Sequence, residues 1–254
     1  MQQLMTRLKL ARVRDVYEAW LERAAQDGLS YRDFLEGLLH EEILAREENQ
    51  TRRRLKGAGF PFEKTIEQFD FTYRPELKKQ VIVRYLEDSF ITAGESVVFI
   101  GPAGLGKTHL SVAIGLKMVE RGYTVRFITV QALLNQVLAR RDLEARQRIL
   151  KPLLACDLLI LDELGYLSHP VDVGPLLYEL IAGRYEHKAT ILTSNKSLVE
   201  WSRVLHDSAL AAALIDRLMH HGEVFYLKGE SYRLKDKRHV AVSPEPVAEA
   251  TSGG

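Results

Sequence analysis

The chain is poor in cysteine and has no long apolar run. Its one cysteine, Cys156, cannot form an intrachain disulfide and leaves no cysteine-rich zinc site. No segment is apolar over the roughly 18 residues that a membrane helix requires. Residues 1–15 contain basic side chains but no continuous apolar stretch of the kind that a signal peptide needs. The sequence therefore predicts a cytoplasmic protein with no membrane partner.

An excess of charge of one sign is also missing. Lys and Arg total 35 against 34 Asp and Glu, so the formal net charge is +1. This balance excludes a polybasic tail protein and a strongly acidic solvating chain. Hydrophobic residues make up 46% and charged residues 27% of the 254 residues, which is ordinary for a globular protein that buries a core. We expect an α/β domain with a small helical module attached.

Helical signals dominate the first part of the chain. Apolar side chains recur every three or four positions between residues 13 and 24, which predicts a helix that stops at Gly28. Ser30, with Asp33 three residues later, predicts the start of a second helix. Its charged end, residues 45–56, is typical of an exposed helix end or a tether.

The next break is glycine- and proline-rich. Two glycines and a proline within residues 57–61 should end the second helix, so we place a boundary there. Residues 241–254 carry little that could form a core and are predicted to be disordered. The predicted regions are a helical module over 1–57 for partner or DNA contact, a connector over 58–74, an α/β core over 75–240 and a tail over 241–254.

The core alternates between short apolar runs and helical stretches after a predicted helix over 75–91. Strands that are apolar on both faces and separated by helices predict a doubly wound parallel sheet. The predicted strands are 96–100, 124–128, 157–161, 189–193 and 223–227. The predicted helices between them are 107–121, 130–140, 173–187 and 209–221.

A phosphate-binding loop follows the first strand and precedes a helix. It fits the pattern G-x-x-x-x-G-K-[ST], in which glycines let backbone N–H groups surround phosphate oxygens. The lysine should reach the β- and γ-phosphates, and the threonine can hold Mg²⁺. The candidate nucleotide-binding residues are Gly101, Pro102, Ala103, Gly104, Leu105, Gly106, Lys107 and Thr108, with the adjoining His109.

Two acids end the third predicted strand. Asp162 and Glu163 follow the run Leu-Leu-Ile-Leu, and acids at the end of a buried strand need a cation or open water. Asp162 is placed to anchor Mg²⁺, with Thr108, and Glu163 to activate the attacking water. Because this carboxylate suits activation of water, the sequence favours ATP hydrolysis over transfer to an acceptor, as in a small-molecule kinase. A nucleotide-gated scaffold that does not hydrolyse ATP is another alternative.

Two further polar residues each fit two roles on residue pattern alone. Asn195 ends the strand Ile-Leu-Thr-Ser, where it could orient the water near the γ-phosphate or cap the following turn. Arg217 lies on a predicted helix, where a lone arginine is usually a solvated charge. It could also be donated to the γ-phosphate of a neighbouring subunit.

Several segments together resemble a known family. The segments GPAGLGKTHLS, DLLILDELGYL, ILTSN, ALIDRLMHHGEVF and GESYRLKD look like the IstB-like helper ATPases of bacterial insertion sequences. These are AAA+ proteins related to the DnaC helicase loader. The N-terminal segments FLEGLLHEE and RLKGAGFPFEKTIEQFDF are similar to the same family, and the resemblance extends to about Asp236.

The resemblance implies a function beyond the motifs. Such proteins form ATP-dependent homo-oligomers on double-stranded DNA, deform it, and recruit and stimulate the transposase of the same element. By this resemblance Asn195 is the first sensor and Arg217 a finger acting in trans. Only a short segment follows the last predicted strand, so we expect little or no C-terminal lid, and Arg233 is expected to replace a lid arginine. The alternative within this group is a replicative helicase loader.

DNA-contacting residues are expected in one of three basic clusters, at residues 7–14, at residues 228–238 or after the second strand, and a solvated face is the alternative for each. Our candidate residues lie in the cluster after the second strand. There, five basic residues stand against Asp142 and Glu144, giving a local excess of three. Repeated around an oligomer, such a cluster becomes a cationic track that binds phosphates without reading bases. The candidates are Arg140, Arg141, Arg146, Arg148 and Lys151. DNA is also expected to stimulate ATP hydrolysis by promoting assembly.

Overall fold

The computed structural model describes residues 1–140, 142–165 and 173–232. The chain divides into two compact units, Met1–Gly57 and Ala58–Gly254. Within the described residues, no helix combines the length and the apolar character needed to cross a membrane. The predicted positions Arg141, Arg233 and 241–254 lie outside the described residues.

The first unit is helical. It contains α1 (Gln2–Arg7), α2 (Ala11–Asp27) and most of α3 (Tyr31–Ala58). The predicted break is confirmed, because Gly28 adopts a left-handed conformation with φ of 62° at the end of α2. Ser30 also caps the next helix as predicted, since its Oγ accepts the Asp33 N–H at 3.2 Å.

The end of α3 differs from the prediction. The helix includes Gly57 and runs to Ala58, and the chain turns only at Gly59, with φ of 74°. A glycine in the last helical turn costs only about 1 kcal/mol relative to alanine, so Gly57 is tolerated. The left-handed residue that ends the helix is therefore the second glycine of the cluster.

The second unit contains a five-stranded parallel sheet in the order β2-β3-β4-β1-β5. This confirms the predicted doubly wound fold, and β4 lies between β1 and β3. The strands are β1 (Ser96–Ile100), β2 (Val125–Thr129), β3 (Leu158–Leu164), β4 (Ala189–Ser194) and β5 (Gly222–Tyr226).

Helices cover both faces of the sheet. On one face Leu159 and Leu161 belong to the main apolar core with residues of α7, α8, α9 and α11. On the other face Ile160 contacts α6 at Gly115, where a Cβ would lie 2.9 Å from its Cδ1. The helices are α6 (Lys107–Glu120), α7 (Val130–Leu138), α8 (Leu143–Ala155), α9 (Gly174–Arg184), α10 (Trp201–Val204) and α11 (Ser208–His220).

The single helix predicted over residues 75–91 is wrong. The structure has α4 (Lys79–Val83), a 3-10 turn (Arg84–Leu86) and α5 (Asp88–Thr92). Glu87 is extended, with φ of −96° and ψ of 154°, and separates the last two. Tertiary packing overrides helical periodicity here, because the interior takes side chains from all three pieces, including Ile82, Tyr85 and Phe90.

Candidate functional site

The phosphate loop connects β1 to α6 at the C-terminal edge of the sheet. Gly104 and Gly106 have φ of 79° and 92°, a region that favours glycine. Gly106 also has no room for a side chain, since a Cβ there would lie 2.6 Å from the Phe69 ring. The N-terminus of α6, which follows at Lys107, is directed at the site and favours anions.

Lys107 is folded over its own loop. Its Nζ donates hydrogen bonds to the carbonyl oxygens of Gly101 at 2.6 Å and Pro102 at 2.7 Å. The side chain is buried but lines the adjoining cavity. The ammonium group is thus placed where phosphate oxygens could replace carbonyl oxygens as its acceptors.

Asp162 lies beside Thr108 and Thr193. Its carboxylate accepts hydrogen bonds from Thr108 Oγ1 at 3.0 Å and Thr193 Oγ1 at 2.5 Å. Burial raises the pKa of Asp162, although these two hydroxyls and the charge of Lys107 act in the opposite direction. A divalent cation at this carboxylate would favour its charged form, so Thr108 and Asp162 fit the magnesium role that the sequence predicts.

Glu163 occupies a bulge in the sheet. The β3–β4 register shifts between Leu161 and Leu164, and Glu163 has φ of 63°. Its N–H donates to Thr193 Oγ1 at 2.9 Å, which ties the bulge to β4. Consequently Asp162 is buried while the neighbouring Glu163 side chain is exposed and lines the cavity.

Asn195 follows β4 and lines the same cavity. Its Oδ1 is buried and has no hydrogen-bond partner within the described residues. A buried carbonyl oxygen without a partner is costly and uncommon, so this atom is a natural acceptor for a ligand or water. Between the two roles considered for Asn195, this favours an orienting role over a turn cap.

The cavity has a volume of about 1040 Å³ and is bounded by the phosphate loop and the connector. His109 Nε2 lies 2.9 Å from the Thr65 carbonyl oxygen, and its ring meets Phe69 edge-on. Burial lowers the pKa of His109, despite the hydrogen bond to Thr65, so the imidazole stays neutral near pH 7. The connector residues that line the cavity are Pro61, Phe62, Glu63, Lys64, Gln68, Phe69, Asp70, Tyr73 and Arg74.

Arg217 lies outside this cavity. On α11 it stacks over the ring of Tyr178, with Cζ 4.7 Å from the centroid, and its Nη1 donates to the Ala213 carbonyl. Its side chain is partly exposed. The structure therefore does not bring Arg217 to the phosphate loop of its own chain.

The candidate DNA-contacting residues within the described part of the chain all have exposed side chains, namely Arg140, Arg146, Arg148 and Lys151. Arg148 pairs with Glu144 on α8 at 3.3 Å, and Arg146 donates through Nε to the Arg140 carbonyl at 3.0 Å. Lys151 follows on the same helix. These side chains can reach a polyanion without unfolding the core.

Sequence reasoning gave no role to two residues at the site. Thr193 holds both Asp162 and the Glu163 bulge, and its only sequence signal is its position two residues before Asn195. Arg74 is buried and donates to the Leu105 carbonyl in the phosphate loop. A lone arginine before a proline carries no recognisable motif, so only the structure reveals it.

The fold and the site together define a phosphate-loop nucleotide-binding protein with a parallel α/β sheet. Residues 3–240 match the family model described as "IstB-like ATP binding protein". The chain therefore belongs to the IstB-like ATP-binding family, which confirms the resemblance drawn from its motifs.

Curated relatives cover nearly the whole chain. The "Insertion sequence IS5376 putative ATP-binding protein" of Geobacillus stearothermophilus is 42% identical over 91% of this chain and 92% of its own. The "Insertion sequence IS21 putative ATP-binding protein" of Pseudomonas aeruginosa is 39% identical over 94% of this chain and 90% of its own.

Solved structures share the fold at lower identity. AMPPCP-bound DnaA from Aquifex aeolicus aligns with a TM-score of 0.57 and 20% identity, covering 72% of this chain and 56% of that one. DnaI aligns with a TM-score of 0.55 and 18% identity, covering 65% and 91%. These likenesses support the fold that the sheet order defines.

Proposed function

We propose that this protein is an ATP-hydrolysing helper that assembles on duplex DNA, remodels it and recruits the transposase of its own insertion sequence. The exposed Glu163 carboxylate, held in a bulge beside the Thr108–Asp162 pair, carries the enzymatic part of the proposal. The insertion-sequence relatives, which match over 90% of the chain, support the transposition part. They favour a transposase over a replicative helicase as the partner.

The side chains divide the chemistry of hydrolysis. Lys107 binds the β- and γ-phosphates. Thr108 and Asp162 would hold Mg²⁺, which would neutralise charge on the phosphates. Glu163 takes a proton from the attacking water, and the Asn195 amide orients that water. The Glu163 carboxylate opens to the cavity, where it can act on water.

The proposed active site is completed by a second subunit. Arg217 does not line the cavity of its own chain. An arginine donated from a neighbour would add to Lys107 in stabilising charge in the transition state. We assign Arg217 to the γ-phosphate of a neighbouring protomer in a homo-oligomer. Arg233 is assigned to the same interface as a nucleotide-sensing residue. DNA raises turnover in this scheme because it gathers protomers.

Mixing two inactive variants tests this arrangement. Lys107→Ala should lose nucleotide binding but still present Arg217, whereas Arg217→Ala should bind ATP but lack the finger. In a mixed oligomer, some sites combine Lys107 of an Arg217→Ala protomer with Arg217 of a neighbouring Lys107→Ala protomer. These sites should restore part of the DNA-stimulated phosphate release. A mixture as inactive as its components would contradict action in trans. Arg203→Ala, an exposed arginine on α10, is the control.

The DNA and transposase steps need separate measurements. Full-length protein with ATP should form large assemblies on duplex DNA in electron micrographs, and these should capture the element's transposase. Assembly without ATP, or capture of a replicative helicase instead, would reject this function. Because these partners are bacterial DNA and a DNA-bound enzyme, we place the protein in the cytoplasm.

A further inference from the structure

A short segment after the last strand lies against the phosphate loop. Leu227 extends the β5 pairing, since its N–H donates to the Ile100 carbonyl at 2.7 Å. Farther on, the Tyr232 N–H donates to the Gly104 carbonyl at 2.9 Å. Ser231 fills the space where a side chain at Gly104 would be. We call residues 228–232 the C-terminal strap.

One buried guanidinium joins the strap to the loop. Arg74 is only 4% exposed. Its Nε donates to the Leu105 carbonyl at 3.3 Å, and its Nη2 donates to the Glu230 carbonyl at 2.6 Å. Its Nη1 donates to the Tyr73 carbonyl at 3.1 Å. The three acceptors belong to the phosphate loop, the strap and the connector. The planar guanidinium of Arg74 therefore holds three segments together.

These contacts fix the orientation of two successive peptide groups. In a planar trans peptide the N–H points opposite to the preceding C=O. A Gly104 carbonyl held toward Tyr232 therefore turns the Leu105 N–H away from the strap. A Leu105 carbonyl held toward Arg74 likewise turns the Gly106 N–H away from the guanidinium. Neither N–H donates a hydrogen bond within the part of the chain that the structure describes.

We propose that Arg74 and the main-chain N–H of Tyr232 are positioning groups for nucleotide binding. By holding the Gly104 and Leu105 carbonyls, they direct the N–H groups of Leu105 and Gly106 at phosphate oxygens before the nucleotide arrives. Preorganised donors of this kind bind anions without the cost of reordering the loop. This inference rests on the nucleotide site of the proposed function and does not depend on DNA or a transposase.

Two pairs of full-length variants test the inference. Arg74→Lys keeps the charge but cannot reach three carbonyls, and Arg121→Lys is its control on a surface ion pair with Glu87 and Asp88. Tyr232→Pro removes the N–H, whereas Tyr232→Ala removes the ring and keeps the N–H. Because Tyr232 is exposed, we expect both Tyr232 variants to fold. The comparison of Tyr232→Pro with Tyr232→Ala therefore tests the inference even if Arg74→Lys does not fold.

The ligands are ATP, ADP and inorganic tripolyphosphate, measured by calorimetry together with the melting temperature. Arg74→Lys and Tyr232→Pro should lose at least about tenfold in affinity for all three, since each loses one charged or main-chain hydrogen bond to the loop. Arg121→Lys should bind tripolyphosphate like the unchanged protein, and Tyr232→Ala should lose much less affinity for it than Tyr232→Pro. Tripolyphosphate has no adenine base, so a loss of affinity for it cannot come from a changed contact with the base.

The measured affinities distinguish failure of this inference from failure of the nucleotide site. Unchanged tripolyphosphate affinity in folded Tyr232→Pro, or equal losses in Tyr232→Pro and Tyr232→Ala, would overturn the inference. Failure of the unchanged protein to bind ATP would instead reject the nucleotide site itself. The two failures are thus distinguishable.

Discussion

The backbone conformation of Glu163 opens its carboxylate to the cavity. Its left-handed conformation in the bulge is held by the Thr193 hydroxyl, so the carboxylate is separated from the buried Asp162 next to it. We expect Glu163→Gln to lower ATP hydrolysis by about 100-fold or more, because an amide cannot take the proton of water. Phosphate release measures the rate, and equilibrium ATP binding should be nearly unchanged.

A control variant tests whether this effect is local. Glu120→Gln removes an exposed carboxylate that pairs with Lys117 on the surface of α6. It should leave hydrolysis at the level of the unchanged protein. Normal hydrolysis by Glu163→Gln would show that another group activates the water. A lack of hydrolysis by the unchanged protein would instead indicate a nucleotide-gated scaffold.

Arg184 is a second buried arginine, and its role is structural. It is 1% exposed and donates to the carbonyls of Leu153, Cys156 and Ala189. Two of these acceptors lie at the C-terminal end of α8, where a cation is favoured by the helix dipole. Its charge also acts against the burial that raises the pKa of the Cys156 thiol.

Replacing Arg184 should therefore destabilise the second unit. Arg184→Leu leaves several buried carbonyls without donors, and we expect a loss of about 3–5 kcal/mol in the free energy of unfolding. Urea denaturation measures this loss. Arg203→Leu on α10, where the side chain is exposed, should change stability by less than about 0.5 kcal/mol. Similar free energies of unfolding for Arg184→Leu and Arg203→Leu would show that water replaces the Arg184 guanidinium as the donor to these carbonyls.

At the scale of elements, a side chain of α3 caps α2. Glu42 is buried and accepts the backbone N–H groups of Arg12 at 2.9 Å and Val13 at 3.2 Å, both in the first turn of α2. Burial alone would raise the pKa of Glu42, but hydrogen bonds from Arg46 and these two amides outweigh it and lower the pKa below 4.5.

This contact predicts a pH-dependent stability. Because the pKa is lower in the folded protein, the stabilisation by Glu42 is complete above about pH 4.5 and is lost as the pH falls through the folded-state pKa. Glu42→Gln should reduce the unfolding free energy by about 1–3 kcal/mol at pH 7. The difference from the unchanged protein should shrink toward zero in acid.

Thermal unfolding followed by circular dichroism between pH 3 and pH 7 measures this trend. Glu22→Gln, at an exposed acid on α2, serves as the control. A constant difference between Glu42→Gln and the unchanged protein across this range would show that the Glu42 charge does not stabilise the α2 terminus.

The elements also show what the sequence could predict. Strands β1 to β5 lie within a few residues of their predicted positions, because apolar runs between helices have few other ways to be buried. The phosphate loop and the two acids were recognisable because their spacing is local. The bulge at Glu163 and the pieces between Lys79 and Thr92 were not, since both depend on packing against distant residues.

Long-range contacts also account for the site residues that carry no sequence motif. Arg74 reaches Leu105 and Glu230, which are 31 and 156 positions away along the chain. No sequence period connects such positions. A contact that joins three segments becomes visible only once the sheet order and the path after β5 are known.

At the scale of the whole molecule, near-neutral total charge conceals an exposed basic helix. Arg148 and Lys151 are exposed on α8 within a chain of formal net charge +1. Any binding to DNA through such local clusters should be weakly dependent on sequence and strongly dependent on salt. A plot of log affinity against log salt concentration should therefore have a large negative slope.

A matched pair of variants assigns this slope to α8. Arg148 forms an exposed pair with Glu144 one turn away, and Lys117 forms an equivalent pair with Glu120 on α6. If Arg148 contacts a phosphate, Arg148→Ala should reduce the slope by about 0.9 per subunit, because one fewer counterion is released. Lys117→Ala should leave it unchanged. Fluorescence anisotropy with duplex DNA and a non-hydrolysable ATP analogue gives both slopes, and equal slopes would place the DNA on another face of the protein.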